Sequence, residues 1–330
     1  MMLSYRSSGK RNRVAACLAL LVLAVGLAAG GSADAARRIR EKNLNLDIAR
    51  RVQARLAEAG IPVVMTRTTD RTLSLGGRTA LANARRVDVF VSIHNNASNR
   101  RSAGGSEVYH QIRGGASKVL GRAIARELSE RPGLPTSLHA RRGDHGDYYY
   151  VLRNTKMPAV IVEGAYVSNR REARLLTTPS FRQKLADAIA RGIIAYQKTL
   201  TARPLPSTVT PTRLTLAALP SPGSVAGAAI NARTVVLSWE PAALARAYNV
   251  YRDGTLLGTV DAVAPDGRIS FSDVWAAPGQ RYTYEIAAAN GLGGAALESS
   301  PAIVSVRTPP IFVALDPGHG GKDPGAIATL

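Results

Sequence analysis

Residues 311–330 read Ile311-Phe-Val-Ala-Leu315-Asp316-Pro-Gly-His319-Gly-Gly-Lys-Asp323-Pro-Gly325-Ala-Ile-Ala-Thr-Leu330. The apolar run Ile311–Leu315 predicts a short buried strand. Asp-Pro-Gly-His-Gly-Gly then turns the chain sharply, which places His319 just past the strand's C-terminal end. Open α/β sheets collect ligands and catalytic groups along that edge. The helix that should follow such a turn is found at the other end of the sequence, where Glu41-Lys-Asn-Leu-Asn-Leu-Asp47 begins an apolar periodicity. The pattern predicts an α/β domain whose order is rotated, with its first strand placed last.

The 330 residues leave room for two modest domains, and 45% hydrophobic content suffices for ordinary cores. Residues 1–35 read as a secretory signal peptide. Arg6, Lys10, Arg11 and Arg13 precede the apolar stretch Val14–Gly30, and Ala33-Asp34-Ala35 supplies small residues for cleavage. The destination is therefore export, to periplasm or to the cell wall and medium. Cys17 is the single cysteine. The mature chain has no disulfide and no thiolate chemistry, so a metal site must use His and carboxylates. The formal charge is +20, near +17 once four cations and Asp34 leave with the signal. This charge predicts attraction to anionic envelope polymers rather than to nucleic acid. A monomer is expected.

Leu44, Ile48, Val52 and Leu56 recur at helical spacing between Lys42 and Ala59. Lys42 and Asp47 read as solvated residues of that helix. Strands follow at 61–66, 87–93, 106–110, 148–152 and 159–162, with helices at 75–86, 117–130 and 181–196. Such alternation predicts a mostly parallel sheet flanked by helices, over residues 38–198. Residues 199–212, with Pro204, Pro206 and Pro211, read as a linker. Residues 213–308 change to short alternating runs, with Asp253-Gly254 as a hairpin turn. Leu237-Ser-Trp239-Glu-Pro241, the run Ala247–Gly254 and the run Ala277–Asn290 make this stretch resemble a fibronectin type III domain, an all-β sandwich. The resemblance makes Trp239 the core tryptophan and Tyr282 the corner tyrosine.

Four residues carry candidate chemistry. His94, Glu163 and His319 sit at or near C-terminal strand ends, and Glu41 opens the first helix. Two imidazoles and a carboxylate can hold zinc with a fourth position open for water. A second carboxylate can then act as general base. Four blocks sharpen this reading: Asp316–Ile327, Glu41–Val52, Val91–Ser98 and Tyr150–Asn169. Together they are similar to the zinc-dependent N-acetylmuramoyl-L-alanine amidases of the family-3 type, over residues 38–198 and 311–330. The resemblance implies Zn2+ held by His319, Glu41 and His94, with Glu163 as general base. It implies peptidoglycan as substrate, cleaved at the amide between muramic acid and L-alanine. The alternative is a non-catalytic envelope-binding protein with an incomplete site. Asn95, Asn96 and Asn154 are candidates for lining the substrate groove. Arg67 and Arg78 read as structural, and His110, His139 and His145 as surface or loop residues. The family places the strand bearing His319 before the Glu41 helix. Three readings of the reversed order stay open: cis completion by a permuted chain, truncation or a sequence error, and exchange between two copies.

Overall fold

A computed structural model describes residues 38–131, 133–134, 145–147, 149–200, 214–215, 219–263, 267–290 and 297–330. The predicted signal peptide, most of the predicted linker and His139 lie outside the described residues. The first part of the chain contains β1 (Arg38–Arg40), α1 (Glu41–Glu58), β2 (Val63–Met65), α2 (Leu75–Ala84), β3 (Val89–Asn96), β4 (Glu107–Gln111) and α3 (Ala116–Ser129). It continues with β5 (His145–Asp147), α4 (Tyr150–Asn154), β6 (Ala159–Tyr166), α5 (Arg170–Leu176) and α6 (Pro179–Thr199). Among the described residues no helix is long and apolar enough to cross a membrane.

A six-stranded sheet runs in the order β2-β16-β3-β6-β4-β5, where β16 is Val313–Pro317. The C-terminal strand thus enters the sheet between β2 and β3, parallel to both. Its apolar sequence fits this place, because a parallel strand covered on both faces reads as a continuous hydrophobic run. All five residues of β16 are buried. Phe90, Ala159, Ile161 and Ala314 pack on one face with Ala82, Val151 and Leu152. α1, α3 and α6 bring a second set of fully buried side chains, including Ile48, Val52, Ile124 and Ile189. Gly192 lets α6 approach α3 closely, since a Cβ there would stand 2.4 Å from the Ile124 Cα. β3 pairs with β6 in parallel, which sets His94 opposite Glu163, and β4 joins β6 in the antiparallel sense.

The β-rich part holds β7 (Leu214–Thr215), β8 (Gly223–Asn231), β9 (Thr234–Glu240), β10 (Ala247–Arg252), β11 (Thr255–Asp261), β12 (Ile269–Asp273), β13 (Arg281–Ala289), β14 (Leu297–Glu298) and β15 (Ala302–Arg307). β12, β9 and β8 form one sheet; β11, β10, β13, β14 and β7 form the other, with β15 on β13. Trp239, Tyr248, Val250, Tyr284 and Ile286 belong to the core between them. Ala277 N donates to the Tyr282 hydroxyl at 2.7 Å, a bond back to the chain just upstream of the kind a corner tyrosine makes. Asp253 and Gly254 both have positive φ, 49° and 78°, as a tight hairpin turn requires. The final strand, β17 (Ile327–Thr329), follows the His319 loop.

Four local expectations are corrected. The segment predicted as a strand over 148–152 is helical from Tyr150 to Asn154. Its turn is held by Arg153 N to Tyr149 O at 3.0 Å and by the Asn154 amide to Tyr150 O at 2.8 Å. The short helix α5 was not expected, and Asn169 caps it by accepting from Arg171 N and Glu172 N. Lys42 is buried rather than solvated, with its Nζ on Asp70 at 2.6 Å and on Gly321 O at 2.8 Å. His110 is buried on β4 rather than at the surface.

Candidate metal centre

Strand β16 delivers the chain into a turn that the rest of the domain grips from below. Asp316 accepts from Thr66 Oγ1 and Arg78 Nη1, both at 2.5 Å, and from Ser92 Oγ at 2.8 Å. Arg67 is fully buried and spans Pro317 O, Gly318 O and Lys42 O at 2.8–2.9 Å. Arg78 adds Pro317 O at 2.9 Å and His319 O at 2.8 Å. Two guanidinium forks therefore satisfy carbonyls at the end of β16 and in the turn beyond it. His319 itself has φ 58°, a conformation held only where the surroundings over-determine it. The turn also needs its glycines: a Cβ on Gly318 would stand 2.0 Å from the His94 ring.

The ligating atoms of Glu41, His94 and His319 all lie within 4.8 Å of one another. Glu41 bridges the two imidazoles, with Oε1 at 3.2 Å from His94 Nδ1 and Oε2 at 3.2 Å from His319 Nε2. Glu41 starts α1, and the orphan amides there are met by the loop after His319: Glu41 N donates to Ala326 O and Lys42 N to Pro324 O. Ala326 N in turn donates to Glu41 Oε2 at 2.9 Å, and Asn45 Nδ2 to Oε1 at 3.0 Å. His319 Nδ1 meets Asp323 at 2.7 Å, which leaves Nε2 as the nitrogen facing the cluster. A carboxylate behind a ligating imidazole is the usual way its ring is oriented.

Charge follows this geometry. Burial alone would raise the Glu41 carboxyl, but the hydrogen bonds to His319 and His94 hold it far below the ordinary carboxylate range. Burial works against a charged His319, yet Glu41 and then Asp323 push it up to about 9. His94 is raised in the same way, against its burial, chiefly by Glu41. A cation held here would take the place of protons on the imidazoles, since imidazole ligates through a deprotonated nitrogen. Two imidazoles and one carboxylate this close together fit a zinc-type ion with one ligand position over.

Glu163 stands on the neighbouring strand, opposite His94 in register. Its Oε2 is buried and has no hydrogen-bond partner among the described residues. Burial is the main cause that pushes its carboxyl up to about 7, the His94 charge opposing and Glu41 and Glu107 adding to it. Glu107, its partner on β4, accepts from the Tyr166 hydroxyl at 2.9 Å and from the Tyr109 hydroxyl. Asn96 is partly buried and donates to Glu107 at 3.3 Å. Asn95 is 1% exposed and donates inward to Asn45 at 2.9 Å, so its side chain braces the helix and does not line a groove. Asn154 is bonded back onto its own helix, away from these four residues in the hydrogen-bond network. Asp323, Asn45 and Asp316 were missed as site residues, although Asp316 and Asp323 flank His319 in the opening motif.

A profile of the N-acetylmuramoyl-L-alanine amidase family matches residues 22–195. The chain is 35% identical over 161 residues to the N-acetylmuramoyl-L-alanine amidase LytC of Bacillus subtilis, covering 48% of this chain and 31% of that protein. It is 33% identical over 201 residues to the N-acetylmuramoyl-L-alanine amidase AmiC of Neisseria meningitidis, covering 49% and 48%. Among solved structures, the catalytic domain of the amidase CwlV from Bacillus (Paenibacillus) polymyxa is 34% identical, with a TM-score of 0.44 over 48% of this chain and 85% of that one. The chain spans between about a third and a half of the length of these two curated relatives.

Proposed function

This chain belongs to the N-acetylmuramoyl-L-alanine amidase family, and on that premise we propose that it is an exported zinc hydrolase that cleaves the amide between muramic acid and L-alanine in peptidoglycan. One observation carries the reading: Glu41, His94 and His319 converge, and on the adjoining strand Glu163 has a buried oxygen with no hydrogen-bond partner among the described residues. Bound at the three ligands, zinc would polarise the scissile carbonyl and acidify a water. The remaining work belongs to the chain. Glu163, pushed up to about 7, has a proton affinity suited to taking a proton from the attacking water and giving it to the leaving nitrogen. Arg67 and Arg78 hold the His319 turn, and Asp323 orients its ring.

In this reading β16 supplies His319 in cis from the far end of the sequence, and the β-rich part is a fibronectin type III-like module set between α6 and β16. The test is zinc per chain on purified protein, beside release of new L-alanine amino termini from peptidoglycan. About one zinc in the parent, and loss of both zinc and release in His319→Ala, is the expected result. Equal zinc in the two proteins, with no amino termini from either, would leave a wall-binding protein without amidase activity.

A further inference from the structure

Two loops leave the C-terminal ends of the strands that carry His94 and Glu163. Residues 97–105 follow β3; residues 167–169 follow β6 and lead into α5. The loops are stapled together. Ser98 N donates to Ser168 Oγ at 2.9 Å, Asn169 Nδ2 to Ala103 O at 3.1 Å, and Gly105 N to Glu172 Oε1 at 2.7 Å. Where they touch, a Cβ on Gly104 would stand 2.4 Å from Glu172 Oε1, so the approach depends on glycine.

Arg100, Arg101, Arg170, Arg171 and Arg174 are all exposed on these two segments. Glu172 is the only acid in residues 97–105 and 167–176, and it faces inward. Its second oxygen accepts from Tyr166 N at 2.7 Å, so backbone amides occupy both oxygens. None of the five guanidinium groups forms an ion pair among the described residues. Five like charges on two stapled segments repel one another, and Glu172, the one acid on them, offsets only part of that charge. An external anion would relieve that repulsion.

We propose that this arginine rim binds the free carboxylates of the substrate's stem peptide, steering the peptide side of the scissile amide toward Glu163 and the metal ligands. The inference rests on the amidase reading above. Two features favour peptide carboxylates over a separate anionic polymer. All five cations are arginine, whose planar fork pairs a carboxylate through two parallel hydrogen bonds. The rim segments also follow directly on the two strands that bear His94 and Glu163, which puts both on the chain leaving the site.

The test is hydrolysis, at low salt, of a soluble muramoyl peptide in two forms: stem carboxylates free, and the same carboxylates amidated. The parent should favour the free form roughly tenfold in kcat/KM, mostly through KM, as several exposed charge pairs would give. In the variant carrying Arg→Gln at positions 100, 101, 170, 171 and 174 the ratio should fall to near one, and melting curves confirm that it folds. An unchanged ratio, or an equal loss on both forms, overturns the proposal. A second arm titrates the parent calorimetrically with the stem peptide alone, free or amidated, where no bond is cut. If the parent hydrolyses neither substrate, the amidase reading fails and this arm still judges the rim: tighter binding of the free form supports it, and equal binding overturns it. A glycerol-phosphate polymer binding as tightly as the peptide would make the rim a general polyanion surface and also overturn the proposal.

Discussion

Both parts of this molecule bury charge, and they differ in whether the charge is closed. In the β-rich part Asp273 takes Arg252 Nη1 at 2.7 Å and the Tyr284 hydroxyl at 2.8 Å on one oxygen, and Trp275 N at 2.9 Å on the other. Glu298 accepts from Asn249 at 2.6 Å and from the Tyr251 hydroxyl. Among the described residues the orphan there is Trp239 Nε1, a neutral donor that does not titrate at ordinary pH. In the α/β part Asp316 and Arg78 form a pair just as closed. Across β3 from Asp316, Glu163 keeps a buried oxygen without a hydrogen-bond partner among the described residues, and three ligating atoms converge beside it. Buried polarity alone is architecture, and Asn95 Oδ1, Arg131 Nε and Arg191 Nε are also open in the α/β part; what sets Glu163 apart is an open titratable carboxylate beside converging ligands.

The largest effect expected from that contrast is on turnover. Glu163→Gln removes the proton carrier while keeping shape, and should lower kcat by about 10²–10⁴. Zinc content should stay at the parent's level. A Gln variant that loses its zinc would make Glu163 part of the metal site and erase the distinction between base and ligand. Turnover of cell-wall substrate and metal analysis on the same sample decide between these.

Next in size are the two closed pairs. Arg78→Met strands a buried Asp316, and Arg252→Met strands a buried Asp273; each should cost about 3–5 kcal/mol in denaturant unfolding. The pairs should part company in function. Arg78 also holds Pro317 O and His319 O, so its loss should weaken zinc binding at temperatures where the variant is still folded. Arg252→Met should leave zinc affinity at the parent's value. If both variants lose zinc affinity alike, the effect is global destabilisation and the clamp has no special part.

The same contrast marks what could be read in the sequence. The helical spacing from Leu44 to Leu56 and the turn Asp253-Gly254 each depend on neighbours in the chain and appear where expected, while the strand read over 311–315 forms two residues later, at Val313–Pro317. His319 falls just past its strand as read, whereas β3 runs on to Asn96 and β6 to Tyr166, so His94 and Glu163 lie inside their strands and not at the ends where the apolar runs placed them. Lys42 was misread because periodicity reports only which face of a helix a residue occupies. The partners that bury it, Asp70 and Gly321 O, lie 28 and 279 residues away. Asn95 looked like a groove residue beside His94, yet the pleat turns alternate side chains to opposite faces and its amide bonds Asn45. The 148–152 segment has a strand's aromatic and β-branched composition. From Tyr150 on, its backbone bonds and the packing of Val151 and Leu152 with Phe90 and Ile161 go with a helix, a tertiary preference that overrides a weak local one.

The smallest expected effect is a pH dependence confined to the open site in metal-free protein. His319 is pushed up to about 9 from 6.5, Glu41 outweighing burial, and His94 is raised for the same reason. A group whose folded value is raised adds stability that is full below its unfolded value and is lost as pH rises through the folded one. For His319 the window runs from 6.5 to about 9. Glu163, raised from 4.5 to about 7 by burial, acts in the same direction over a lower window. The depressed Glu41 acts oppositely, its contribution being lost only as pH falls below the ordinary carboxylate range. Metal-free protein should therefore melt at progressively lower temperature from pH 6.5 to 9, and the effect is modest because His319 is 27% exposed. Zinc-loaded protein should lose less, since metal replaces the protons on the imidazoles. The two parts can be followed separately. Helical circular dichroism reports the α/β part, and fluorescence reports the β-rich part, which holds both tryptophans, Trp239 and Trp275. A pH-dependent helical transition beside a pH-independent fluorescence transition would confine the titration to the metal centre. Transitions that move together would show the two parts unfolding as one unit. A helical transition in metal-free protein that stays level or rises across this range would mean that Glu41 does not hold a proton on His319 in the folded state.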